Sequence, residues 1–149
     1  MNLKIKALSP KIGKEIPAPY YASAGAAAMD LCACIDEPVE IPPRALVVIP
    51  TGIAIALPSP EWVALVFARS GLGIKHGIAL ANGVGVIDSD YRGEIKVGLT
   101  NLSEHAYAVV PGERIAQLAV TPVARPALEF VDELDETGRG TGGLGSTGR

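Results

Sequence analysis

Ala45-Leu-Val-Val-Ile-Pro-Thr-Gly-Ile-Ala-Ile-Ala-Leu-Pro-Ser-Pro-Glu-Trp-Val-Ala-Leu-Val-Phe67 holds three short apolar runs separated by turn-forming residues. The runs, 45–49, 53–57 and 62–67, are each five or six residues long, too short for buried helices. Pro50-Thr-Gly52 and Pro58-Ser-Pro60 interrupt them where a chain reverses, so they read as β-strands. All three are apolar on both faces. In an antiparallel protein such a strand needs a second sheet on one side and a partner subunit or covering loop on the other.

Outward from this stretch the same periodicity continues. Ile115-Ala-Gln-Leu-Ala-Val120 is another doubly apolar run, while Leu3, Ile5 and Ala7 alternate with Lys4 and Lys6. Ile95, Val97 and Leu99 alternate with Glu94, Lys96 and Thr100, the pattern of a half-buried strand. Further turns fall at Pro42-Pro43, Pro111-Gly112 and Pro122. About nine or ten strands at such spacing predict an all-β protein, a distorted jelly-roll or β-sandwich. One helix of a turn or two is expected around Ala68–Gly73, with Ser70 available as its cap. Residues 1–137 read as one domain and 138–149 as a flexible arm, since six of those last twelve residues are Gly. Extended, the arm could reach about 40 Å, enough to cover a neighbouring subunit.

Composition narrows the function. Hydrophobic residues make up 48% of the chain and charged residues only 19%, an apolar excess that points to an oligomer. A formal net charge of −3 argues against gripping nucleic-acid backbones. No apolar run approaches the roughly 18 residues needed to span a bilayer, and the N-terminus lacks a signal peptide's apolar region. A cytoplasmic protein acting on a small molecule is expected. Cys32 and Cys34 form neither a redox pair nor a zinc set and are expected as reduced structural thiols. His76 and His105 have no companions at ligand spacing.

Four arginines stand in glycine-containing polar segments: Arg69, Arg92, Arg114 and Arg139. Arginine forks and exposed backbone N–H groups suit a polyphosphate. Gly140-Thr-Gly-Gly-Leu-Gly145 matches a dinucleotide fingerprint, but no helix can follow it, and Ser146 stands where a Walker lysine would be. In Ile78–Thr100, two strand-like runs flank Asn82-Gly83-Val84-Gly85, followed by Val86-Ile-Asp88-Ser-Asp90-Tyr91-Arg-Gly93. A hairpin whose backbone lies bare at the glycines could hydrogen-bond a flat base. Asp88 and Asp90 are both candidate bases, and Tyr91 a platform; a polar turn in which the two acids cap backbone N–H groups is the plainer alternative.

Five segments, in order, resemble the motifs of trimeric dUTPases. They are Ala27-Ala-Met-Asp30-Leu-Cys-Ala-Cys34; Ala68-Arg-Ser-Gly-Leu72 with Lys75-His-Gly-Ile78; Asn82–Glu94; Gly112-Glu-Arg-Ile-Ala-Gln-Leu118; and Arg139-Gly-Thr-Gly-Gly-Leu-Gly-Ser-Thr-Gly148. The resemblance implies a jelly-roll homotrimer whose shared active sites hydrolyse dUTP to dUMP and pyrophosphate. Mg2+ would be carried mainly by the triphosphate, with Asp30 near it through water. Asp88 matches the catalytic base, in preference to Asp90. Tyr91 matches the residue under the deoxyribose, and Asn82, Val86, Ile87 and Lys96 match the uracil reader. Arg69, Ser70, Gly71 and Gln117 match phosphate-contacting or site-shaping positions. Arg114 matches a position as much structural as ligand-binding. Arg139, Leu144, Gly145, Ser146 and Thr147 match the arm that closes over substrate, with Leu144 replacing the usual aromatic. The nearest rivals are a dCTP deaminase and a non-catalytic nucleotide-binding relative.

Overall fold

The computed structural model describes residues 2–143. Among them the chain forms twelve strands and one helix, more strands than the nine or ten expected. The strands are β1 (Lys4–Ala7), β2 (Tyr20–Tyr21), β3 (Met29–Cys32), β4 (Val39–Ile41), β5 (Leu46–Pro50), β6 (Ile53–Ala56), β7 (Trp62–Ala68), β8 (Ile78–Leu80), β9 (Gly85–Ile87), β10 (Lys96–Asn101), β11 (Tyr107–Val109) and β12 (Arg114–Pro122). The helix, α1, is Ser70–His76. Five of the twelve strands are only two or three residues long, a length at which periodicity carries little signal.

All sheet pairings are antiparallel, and the architecture is a distorted jelly-roll sandwich. A five-stranded sheet runs β2-β3-β12-β7-β9 and a three-stranded one β5-β10-β8, with β1-β6 and β11-β4 as two-stranded flanks. One core lies between them, including Leu31, Ile41, Ile49, Ile53, Val66, Val97, Leu99 and Leu118. The opening stretch supplies β5, β6 and β7, and each enters a different sheet. Ile53, Ala54 and Ile55 are buried together, so β6 is covered on both faces. On β5 only Ile49 is fully buried; Leu46 and Val48 are 59% and 57% exposed, an apolar face left uncovered among the described residues.

Three expectations are corrected. The Lys4–Ala7 strand forms, but it is exposed on both faces, because it pairs only with β6 at the molecule's margin. Ser70 does not cap α1: Arg69 holds the N-cap position without a side-chain cap bond, and Ser70 begins the helix. At the other end Gly77 closes α1 at φ 70°, packed against Ser103 so closely that a Cβ would stand 3.0 Å from that side chain. Finally, β8 and β9 are not a hairpin. They flank the turn at Asn82-Gly83, yet β8 pairs with β10 and β9 with β7. The turn carries the chain from one sheet to the other. Beyond Pro122 no further strand forms among the described residues, and residues 123–141 are exposed throughout.

Candidate active site

The sequence-predicted residues gather in two places on the five-stranded sheet. The first is built on β3 and β12. Asp30 lies opposite Gln117 in the register, and a β-bulge between Arg114 and Ala116 re-aims the start of β12. As a result Arg114 Nη1 donates to Asp30 Oδ2 at 3.1 Å, and Gln117 Nε2 to Oδ1 at 3.4 Å. Arg69, just past the end of β7, places Nε 3.4 Å from Asp30 Oδ1 and donates from Nη1 to the Arg114 carbonyl at 3.0 Å. Asp30 is only 2% exposed. A carboxylate is tolerated there because both oxygens are engaged by cations and an amide. The Asp30 carboxylate pushes the Arg114 guanidinium further above its ordinary range. Burial, reinforced by the Asp30 charge, raises the neighbouring Cys32 thiol, so it stays protonated and inert. Cys32 and Cys34 are both free, as expected.

Ser70 and Gly71 open α1 next to this cluster, exposed and without an acidic residue in the first turn. A Cβ on Gly71 would meet nothing within 4 Å, so the backbone there is open to approach.

The second place is the segment after β9. As the last strand of its sheet, β9 pairs with β7 on one side only. The bare backbone therefore exists, but as a sheet edge and not as a hairpin. Gly85 permits close packing on β7, because a Cβ would stand 3.0 Å from Val66 Cβ and 3.7 Å from Asn82 Nδ2. Asn82 is thereby placed beside the edge.

A cavity of about 220 Å³ lies here, lined by Val86, Ile87, Asp88, Tyr91, Glu94, Ile95 and Lys96. Five predicted residues converge on it. Ligand pockets more often span ~300–1,000 Å³, so this cavity alone is smaller than most. An adjoining cleft of about 520 Å³ is lined by Asp88, Ser89 and Asp90 with Trp62 and Arg125. Asp88 borders both spaces, whereas Asp90 borders the cleft alone. Sequence chemistry left these two acids equivalent; the geometry separates them.

Tyr91 is fixed locally. Its N–H donates to the Asp88 carbonyl at 3.2 Å and its hydroxyl to the Glu94 carbonyl at 3.0 Å. The ring lies against Gly93, where a Cβ would come within 2.6 Å of Tyr91 Cζ. Arg92 is occupied with the carbonyls of Ser89 and Tyr91 at 2.8 and 2.9 Å. It braces the loop.

The cavity around Asp88 and Tyr91 includes none of Arg69, Ser70, Gly71 or Gln117 in its lining. Arg139 lies in a turn over residues 137–142, donating to the Gly142 carbonyl at 2.8 Å. Leu144, Gly145, Ser146 and Thr147 lie outside the described residues. Among the described residues no group of three or more His, Cys, Asp or Glu side chains could hold a metal ion. His76 packs against Tyr107 with ring centroids 4.9 Å apart and the planes tilted by 47°. Glu94 in the cavity wall and Trp62 and Arg125 in the cleft are not among the residues the sequence singles out; of these only Glu94 carries a signal, as a charged residue inside the third motif.

The dUTPase family model matches residues 14–148. The chain belongs to the dUTPase family. The deoxyuridine 5'-triphosphate nucleotidohydrolase of Idiomarina loihiensis is 49% identical over 148 residues, covering 99% of this chain and 98% of that protein. The enzyme of the same name from Acinetobacter baumannii is 48% identical over 149 residues, 100% of this chain and 99% of that one. Among solved structures, the Staphylococcus bacteriophage 80alpha dUTPase with dUPNHPP matches at TM-score 0.87 and 27% identity, covering 99% of each chain. A dUTPase variant from phage phi11 of S. aureus, described as coordinating a structural Mg(II) ion, shares the fold at TM-score 0.79 and 22% identity. Among the described residues of this family member no helix is long and apolar enough to cross a membrane.

Proposed function

We propose that this chain, a dUTP nucleotidohydrolase by its family, splits dUTP into dUMP and pyrophosphate through water attack on the α-phosphorus, with Asp88 as the base. The observation carrying this reading is the position of Asp88, which alone of the two acids borders both the cavity holding Tyr91 and the adjoining cleft. The carboxylate accepts the water's proton as the oxygen closes on phosphorus.

Base reading falls to the free edge of β9, with Val86 and Ile87, together with Asn82 and Lys96. Uracil presents acceptor, donor and acceptor along one edge, and cytosine changes that order. A site built for the first leaves groups unpaired with the second, which can discriminate by ~10⁴ or more. Tyr91 packs under the deoxyribose and leaves no room for a 2′-OH.

Arg69, Ser70, Gly71 and Gln117 serve as phosphate-contacting or site-shaping groups. They line no part of the Asp88 cavity, so we infer that a second copy of the chain brings its own set to it. A homotrimer with shared sites meets that need. The uncovered β5 face bearing Leu46 and Val48 supports association. Residues 1–137 act as the jelly-roll domain and 138–149 as the arm, with Arg139, Leu144, Gly145, Ser146 and Thr147 closing on base and phosphates.

Mg2+ is the expected cofactor. It is commonly held by one or two carboxylates plus substrate phosphates rather than by an all-protein cage, and the donor set here suits that mode. Asp30, its oxygens already engaged, would reach the ion only through water. The ion would neutralise charge on the triphosphate. The substrate is a small molecule, not nucleic acid or membrane, and the cytoplasm is the proposed site of action.

Pyrophosphate release from dUTP with Mg2+, against dCTP, dTTP and UTP, tests the reading. Folded protein that leaves dUTP intact sinks it, and ammonia from dCTP would install the deaminase instead. Asp88→Asn should abolish turnover while still binding dUTP; binding without turnover in the parent chain would favour the non-catalytic relative. Sedimentation analysis checks the trimer.

A further inference from the structure

Glu94 lines the cavity that holds Asp88 and Tyr91, yet its side chain binds a turn outside that cavity. Its Oε1 accepts the Gly52 N–H at 2.9 Å, in the turn between β5 and β6. Its backbone carbonyl accepts the Tyr91 hydroxyl at 3.0 Å. One residue therefore ties the sugar platform to a turn that lies 42 residues earlier in the chain.

That turn is rigid. Gly52 sits at φ 69°, and a Cβ there would stand 2.6 Å from Cys34 Sγ, so the backbone is seated against the Cys34 side chain. Thr51, only 3% exposed, donates from both N–H and Oγ1 to the Ile95 carbonyl, at 3.2 and 2.5 Å. Ile95 returns its own N–H to the Ile53 carbonyl at 2.9 Å. The exit of the Tyr91 loop is thus stitched to residues 51–53 immediately beyond Glu94. Glu94 Oε2 additionally faces Lys96 Nζ at 3.9 Å, holding a cation at the cavity's rim.

We propose that Glu94 is a positioning residue for Tyr91, and that discrimination between deoxyribose and ribose depends on its bond to Gly52. This rests on Tyr91 reading the sugar, as proposed above. The physical reason is the tolerance involved. A 2′-OH adds one oxygen, and a ring that excludes it must be held to a fraction of an ångström. The Tyr91 hydroxyl fixes one end of the ring, but only if the carbonyl it binds is itself fixed. The Glu94 side chain supplies that second anchor. A merely structural Glu94 would close the turn and leave substrate preference alone.

The test compares kcat and KM for dUTP and UTP in the parent chain, Glu94→Ala and Glu94→Gln. Losing one hydrogen-bond anchor of ordinary strength should lower the dUTP-over-UTP ratio of kcat/KM about three- to tenfold in Glu94→Ala. The change should enter mainly through KM. Glu94→Gln keeps a carbonyl acceptor for Gly52 and should restore the ratio. Tyr91→Phe, with Glu94 intact, should lower the ratio in the same direction, and combining it with Glu94→Ala should add little further. An unchanged ratio in Glu94→Ala overturns the proposal. If that variant does not fold, an unchanged ratio in Tyr91→Phe overturns it equally. A parent chain that hydrolyses dUTP without preferring it to UTP removes the sugar reading and this proposal together. One that prefers dUTP while neither variant moves the ratio removes this proposal alone.

Discussion

Asp30→Asn separates two roles for the most deeply buried carboxylate. The side chain is 2% exposed and bound by Arg114 at 3.1 Å, with Arg69 and Gln117 each at 3.4 Å. Asparagine keeps the shape but removes the charge and turns one oxygen into a donor that faces a guanidinium. Breaking a fully buried pair costs about 3–5 kcal/mol. Here the partners are partly solvated, Arg69 at 22% and Arg114 at 42% exposed, and two of the three contacts are long. The loss should therefore fall lower, at about 2–3 kcal/mol. For a chain of this size that is roughly 5–10 °C in Tm. Trp62, the only tryptophan, allows urea unfolding to be followed by fluorescence, at one protein concentration because association would shift the midpoint. A Tm within about 1 °C of the parent chain, with turnover restored only by much higher Mg2+, would refute the reasoning. Asp30 would then act at the metal and not as the anchor of the arginine cluster.

Gly93→Ala drives a methyl into the Tyr91 ring, at 2.6 Å from Cζ, and should raise KM for dUTP severalfold while lowering stability by about 1–3 kcal/mol; steady-state kinetics and a melting curve check both. The Tyr107 hydroxyl is pushed up to about 12, first by burial and then by its hydrogen bond to Glu113. A raised pKa stabilises the fold fully below the unfolded value near 10, and that contribution is lost as pH climbs toward 12. Urea midpoints should fall across that window, and Tyr107→Phe should flatten the fall. Removing residues 138–149 should depress turnover far more than the urea midpoint; a truncated chain with normal kcat would exclude the arm from the reaction.

The strands were legible because alternation and proline-glycine punctuation are local signals. Ile95, Val97 and Leu99 are 1%, 2% and 1% exposed, as their period of two requires. What local signals lack is the partner. Asn82-Gly83 announces a turn correctly, but only the core decides that β8 joins β10 while β9 joins β7. The same limit hid the Asp30 cluster, whose bond to Arg114 spans 84 residues, and the Thr51 and Glu94 bonds, which span 44 and 42. Ser70 was misread for a smaller reason. Its side chain suits a cap, but Arg69 adopts the extended φ −89°, ψ 129° that the position demands, and the helix starts one residue later. For the site, the motif order supplied the candidate residues, and of the two acids only Asp88 borders both the cavity and the cleft.

The arrangement also supports the proposal that the base is read on β9. Discriminating uracil from cytosine requires donors and acceptors that do not move to suit the wrong partner. A loop would relax around either base. β9 cannot, because its inner side is committed to β7 over Ala64–Val66 and Gly85 sits against Val66 without room for a Cβ. Its outer side is consequently both free and fixed. Sequence and fold meet at this point: glycine is required at 85 for close approach, and an edge position is required for free hydrogen-bonding groups. Together they turn three residues of backbone into a rigid template. The phosphate-contacting candidates need no such rigidity, since charge acts over a longer range than a hydrogen-bond pattern. They can be delivered by separate segments once the base has been accepted.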